Sequence, residues 1–383
     1  LLAAVLPLQL AFGLVFAWGG AAPYVLAQAR WSPLLVGAVF SATPLGYGTG
    51  MLAGGRLADR LPPRPICWSA VGLLAIGIAV AFAFPTPATF ILFYSGLGLG
   101  IGGGLAMAGS VAAAAYAFPS RVGTIGGAIT ACYAAAGLVQ LPAVTLLSAS
   151  AGWLTAIRLV GGASLALAAI CVLVLPSVPA PVQRHDSDRA TLLQVLGQPR
   201  VWTGFVIQGL ATSLGAFALV NIVLYARAHG MGLGSATLAL TLAAAANVAG
   251  RAGAGAAADR LGVEPVLFAI LAVNVLAAAV FASGAAQATV VLLAAAAAGA
   301  GFGGAAGVMP RAAARSSPDA PNTAFGIHFA GYALGAFAGP LVGAAAGGGG
   351  AAWIAVGAPS LLGLAVLWMR SLVMTPARGP ARG

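Results

Sequence analysis

Charge is what this chain has least of. It carries 17 basic and 6 acidic residues in 383, about 6%, against roughly 25% in an ordinary soluble domain. So little charge cannot cover the surface of a soluble protein of this length, which excludes a cytosolic enzyme. Lysine is absent, so all the basic residues are Arg. Cysteine and histidine are scarce, three of each. Cys67, Cys132 and Cys171 lie in apolar runs, without metal-ligand spacing, and read as small buried hydrophobes. No Ser-His-Asp, Cys-His or metal-binding set can be assembled from three His and six acids that all fall in loops. No catalysis, cofactor or metal is expected.

What the chain does have is apolar length: 61% of it is hydrophobic and another 55 residues are Gly. A membrane-spanning helix needs about 20 mostly apolar residues. Breaks at charge and Pro clusters leave twelve such runs, near 2–26, 34–54, 66–84, 88–115, 123–147, 155–175, 201–226, 235–254, 265–285, 288–310, 323–345 and 351–372. A β-barrel is excluded, because its strands would alternate over about ten residues. The first run has no small-residue cleavage site behind it and is expected to be a retained spanning helix.

The net charge of +11 does not point to nucleic acid, because the Arg residues form no stripe; they cluster between the apolar runs. With both termini in the cytoplasm, the inner loops and tail hold Arg56, Arg60, Arg64, Arg121, Arg184, Arg189, Arg200, Arg260, Arg311, Arg315, Arg370, Arg378 and Arg382. The outer loops hold only Arg30 and Arg227. The excess sets the orientation: a multi-pass protein of the cell (inner) membrane with both ends inside.

The longest polar segment, 176–200, divides the chain into six-helix halves, 1–175 and 201–383, and reads as a cytoplasmic linker. The halves repeat at a shift of about 200 residues. Gly55, Asp59, Arg60 and Leu61 return as Gly255, Asp259, Arg260 and Leu261; Thr124, Gly127 and Tyr133 return, at 199, as Thr323, Gly326 and Tyr332. Two similar bundles suggest an alternating-access transporter. The Gly98-x-Gly100-x-x-Gly103 string, with its copy at 299–304, matches a dinucleotide fingerprint only formally, since neither follows a strand. Gly96, Gly100 and Gly104 recur every fourth residue instead, as helix-packing positions do.

The loop Gly55-Arg56-Leu57-Ala58-Asp59-Arg60-Leu61-Pro62-Pro63-Arg64 resembles the signature loop of the major facilitator superfamily. Pro62 and Pro63 stand where that loop usually has an aromatic-Gly pair, and Glu264 stands in the second copy where a basic residue is common. The resemblance implies a twelve-helix all-α membrane fold. Asp59, Arg60, Arg64, Asp259 and Arg260 would form gating contacts, the acids pairing with Arg or facing helix N-termini.

Arg251 lies eight residues before Asp259, about 12 Å deeper along the helix and close to the bilayer midplane. An Arg there costs at least about 2.5–3.5 kcal/mol to insert and ordinarily faces a cavity. Its counterpart in the first half is Met51, and no acid lies within an apolar run to neutralise it. That pattern reads as an anion site. Tyr133, Tyr332 and Asn247 are candidates to shape it. His328, one turn before Tyr332, is the candidate to carry a proton.

Phe16-Ala17-Trp18, Leu192-Leu193-Gln194-Val195-Leu196, Pro199-Arg200-Val201-Trp202, Asn247-Val248-Ala249-Gly250-Arg251 and Phe325-Gly326 are similar to segments of the oxalate–formate antiporter and monocarboxylate transporter branch. That likeness implies that Arg251 binds a substrate carboxylate. The oxalate antiporters place a Lys where Tyr332 stands. With one buried positive charge, a dicarboxylate would leave a carboxylate unpaired, so a monocarboxylate is expected. The expected function is secondary transport of a small organic anion, by proton coupling or anion exchange, in a monomer. The alternative is an exporter of amphipathic drugs with Arg251 structural.

Overall fold

The structure, a computed structural model, describes residues 1–178, 192–347 and 349–374. Most of the 176–200 linker lies outside the described residues, including Arg184, His185, Asp186, Asp188 and Arg189. So do Arg378 and Arg382 of the C-terminal tail.

Twelve long helices run through the described residues, and we number them α1 to α12. The first half comprises α1 (Leu2–Ala29), α2 (Pro33–Ala58), α3 (Pro63–Ala83), α4 (Pro87–Ala117), α5 (Val122–Ala151) and α6 (Trp153–Val174). The second comprises α7 (Pro199–Ala228), α8 (Leu233–Leu261), α9 (Val263–Ala282), α10 (Ala288–Ser316), α11 (Pro321–Ala345) and α12 (Gly349–Met374). Eleven are long and apolar enough to cross a bilayer. The other, α2, has the length, but Gly, Thr and Tyr residues dilute its hydropathy. All twelve predicted runs are helices.

Helix starts follow local chemistry. Pro occupies the first turn of α2, α3, α4, α7 and α11, where its missing N–H is no loss. Glycines set the packing within each half. A Cβ on Gly104 would come within 2.4 Å of the Tyr47 carbonyl, so α4 lies against the backbone of α2. In the second half Gly303 and Gly307 bring α10 equally close to the carbonyls of Asn247 and Arg251 on α8. The glycine ladders thus fix the two helices that carry the site.

The halves meet at one end. A single buried core continues from the first half into Ala305, Val308, Met309, Phe325 and Tyr332 of the second. The opposite end of the second half has a core of its own, built from Leu214, Phe217, Tyr225, Phe281 and Trp353. The shared end is the one bearing the α2–α3 and α8–α9 loops.

Candidate functional site

Two contacts close the loop face. The first turn of α11 has no capping side chain of its own. Asp59, from the other half, takes that role: Asn322 N (3.1 Å) and Asn322 Nδ2 (2.9 Å) donate to one carboxylate oxygen. Thr323 N (2.8 Å) and Oγ1 (2.6 Å) donate to the other. The first turn of α5 likewise lacks a cap. Asp259 accepts there from Gly123 N (3.0 Å), Thr124 N (2.6 Å) and Thr124 Oγ1 (2.8 Å). Each acid satisfies N–H groups that the helix itself leaves unpaired and meets the positive end of its dipole. A cap of this kind stabilises by about 1–2 kcal/mol. Burial pushes the Asp59 carboxyl above its ordinary value, and the four donors pull the other way without cancelling the rise.

Arg60 and Arg260 are exposed. Arg64 turns inward within its own half and donates to the Leu173 carbonyl at the end of α6 (3.0 Å). The basic partner of Asp259 is Arg311, at 3.7 Å. Glu264, where the motif usually has a basic residue, pairs with Arg315 at 2.6 Å.

Deeper in, Arg251 is 5% exposed. Its Nε donates to Asn247 Oδ1 (3.0 Å), one turn earlier on the same helix. Nη2 donates to Tyr332 Oη (3.2 Å), and Nη1 reaches across the halves to the Thr130 carbonyl of α5 (3.4 Å). A guanidinium has five N–H donors, so two have no acceptor among the described residues. Among the described residues no carboxylate lies within ion-pair distance of Arg251.

A cluster of aromatic rings from both halves reaches this cation through Tyr332. Tyr47 of α2 packs on Tyr133 of α5 (centroids 5.2 Å apart) and on Phe329 of α11 (4.9 Å). Phe329 stacks on Tyr332 (5.3 Å), Tyr332 packs at a tilt on Phe302 of α10 (5.2 Å), and Phe16 of α1 meets Tyr133 edge-on (5.5 Å). The structure therefore brings Arg251, Asn247, Tyr332 and Tyr133 together.

His328 does not join them. Its Nε2 faces Ser316 at 3.4 Å, and its ring fills a slot left by Gly204 of α7, where a Cβ would lie only 2.1 Å from Nε2. Four residues turn a helix about 40° past one revolution, and the Gly204 slot takes the ring the rest of the way. Tyr47, Phe329, Phe302 and Thr130 were not evident as site residues. A signal existed for two: at the repeat shifts of 200 and 199, Tyr47 is the counterpart of Asn247 and Thr130 that of Phe329.

Two six-helix halves, closed at one face by matched acid-to-helix contacts and enclosing a buried polar site, define a secondary transporter. The major facilitator superfamily pattern matches residues 6–283, and the chain belongs to that superfamily. Its fold is similar to that of the proton:xylose symporter XylE bound to 6-bromo-6-deoxy-D-glucose (TM-score 0.74, 18% identity, 96% of this chain and 94% of that one). It is also similar to FucP in the outward conformation (TM-score 0.73, 14% identity, 96% and 98%). No curated protein sequence matches it. The chain is thus a multi-pass membrane transporter and not an enzyme.

Proposed function

We propose that this transporter moves a small monocarboxylate by alternating access and that Arg251 holds the carboxylate. The observation that carries this reading is a buried guanidinium with, among the described residues, no carboxylate partner and two unused N–H donors, set beside hydroxyl-bearing rings. A buried charge is strongly disfavoured unless paired, and a carboxylate supplies the pair in planar, bidentate form. Asn247 and Tyr332 orient the guanidinium. Tyr133 lines the site from the other half, and the aromatic walls accept an apolar substrate body.

The long Nη1–Thr130 contact gives binding a mechanical consequence. A carboxylate on Nη1 outcompetes a neutral carbonyl, since hydrogen bonds between charged groups are roughly twice as strong. Binding then removes one tie between α8 and α5. Under the positive-inside orientation the latched face is cytoplasmic, with both termini inside, and Asp59 and Asp259 form the latch. The Arg residues beside them, Arg60 and Arg260, serve orientation more than closure.

Anion exchange fits this site better than proton symport. No acid stands beside Arg251 among the described residues, and His328 faces α7. An empty site would carry an unpaired buried charge through the return step, whereas a loaded one is neutral.

Thermal stability of the purified protein against short monocarboxylates, inorganic anions and lipophilic cations, beside Arg251→Gln, tests the reading. A ligand at 100 times its dissociation constant adds about 2.7 kcal/mol to the folded state. Short monocarboxylates should stabilise the wild type and not the variant. Cations that stabilise both equally, with carboxylates inert, would establish the exporter of amphipathic drugs instead.

A further inference from the structure

Tyr47 has a hydroxyl with nothing to bond to. The side chain is 3% exposed, and its Oη has no hydrogen-bond partner among the described residues. A buried hydroxyl left unpaired is costly, so one that persists calls for an explanation. Tyr47 is also held rigidly. The edge of its ring faces Gly103, where a Cβ would lie 3.2 Å from Cδ2 and Cε2, and its faces are flanked by Tyr133 and Phe329. Its electrostatic neighbours are Tyr133, Arg251 and Tyr332, the members of the proposed anion site.

The repeat sharpens the point. At a shift of 200 residues Tyr47 corresponds to Asn247, and Met51 to Arg251. The second half uses its pair to build and orient a cation, Asn247 Oδ1 accepting from Arg251 Nε. The first half has no cation at Met51, so the polar group one turn earlier is not engaged by its own helix. Its donor is unused, and the charge it interacts with electrostatically is the one supplied by the other half.

We propose that Tyr47 is a further substrate-contact residue, its hydroxyl donating to the carboxylate oxygen that Arg251 leaves open. The inference rests on the anion-site reading and extends it: the carboxylate becomes a bridge between halves, held by α8 on one side and α2 on the other. It also confines the ligand. The ring that carries this hydroxyl is set between Tyr133 and Phe329, which favours a ligand flat at its carboxylate end over a tetrahedral anion such as phosphate or sulfate.

Tyr47→Phe tests this, because it keeps the ring and its packing and removes only the hydroxyl. Thermal-shift titrations of the full chain with acetate, propionate, benzoate and inorganic phosphate supply apparent affinities for wild type and variant. The expected result is carboxylate binding weakened on the order of tenfold to a hundredfold in the variant. Its melting temperature without ligand should equal or exceed that of the wild type, since the lost group was unpaired. Phosphate should stabilise neither protein. Equal carboxylate affinity in the two proteins overturns the inference while leaving the anion site standing. A variant that is less stable without ligand also overturns it, by showing the hydroxyl to be structural. A wild type that no carboxylate stabilises overturns the anion reading itself, and this inference with it.

Discussion

Arg251 donates from Nη2 to the hydroxyl of Tyr332 at 3.2 Å, which joins a position that the repeat does not duplicate to one that it does. The counterpart of Tyr332 is Tyr133, in the other half; Arg251 has only Met51. Tyr332→Phe removes one orienting bond and leaves the charge in place. It should weaken carboxylate binding by about fivefold, on the order of 1 kcal/mol, far less than Arg251→Gln. Titration of both variants with the same carboxylate checks the ranking; equal losses would contradict it.

The two acid-to-helix contacts should carry the closed state nearly equally. Asp59→Asn and Asp259→Asn each put an amide N–H where a carboxylate oxygen accepts only from donors, so donor meets donor at the cap and each should destabilise closure by about 1–2 kcal/mol. Ser317 is wholly buried at that face, so a cysteine placed there reports opening through its reaction with a thiol reagent. Both variants should accelerate labelling. Arg311→Ala should change it little, because its contact with Asp259 is 3.7 Å long and Arg311 is about one-third exposed.

Closure should also respond to pH through Asp59. Its carboxyl is held above the ordinary value in the closed state, chiefly by burial, and returns toward that ordinary value when the face opens and water reaches it. The closed state therefore binds the proton more tightly. As the pH falls from the raised value toward the ordinary one, closure gains; below both, the gain is complete and constant. Spin-label distances across the loop face should shift toward the closed population on acidification. Asp59→Asn should abolish that shift, and a shift of opposite sign would refute it.

Close helix crossings set the limit of closure. A Cβ on Gly326 would come within 2.6 Å of the Met51 carbonyl, and one on Gly127 within 2.5 Å of the Arg251 carbonyl. Backbone cannot yield as a flexible side chain can. Gly326→Val and Gly127→Val should therefore hold the loop face apart and lower exchange more than stability. The same labelling assay distinguishes this from unfolding, since an opened protein still melts cooperatively.

Much of this arrangement was legible in the residues alone, because lipid leaves so few choices. Twelve apolar runs became twelve helices, and the repeated Thr124/Thr323 and Gly127/Gly326 pairs became the two latches and the two close crossings. Arg251 stood out because a lone charge deep in an apolar run is conspicuous. Tyr47 did not, because its importance comes from rings on α5 and α11 that no local pattern connects to it. His328 went elsewhere for a similar reason: its i,i+4 spacing to Tyr332 places the two near one face, but the cavity that receives its ring is made by Gly204 on another helix.

Arg251 is the centre of this account, and counterflow in proteoliposomes tests it most directly. Vesicles loaded with unlabelled propionate should accumulate labelled propionate when they contain the wild type, and Arg251→Gln should reduce that accumulation to the level of empty vesicles. Arg251→Lys, which keeps the charge but not the planar fork, should retain partial exchange at weaker affinity. Counterflow that survives in Arg251→Gln would contradict the assignment of the carboxylate to Arg251.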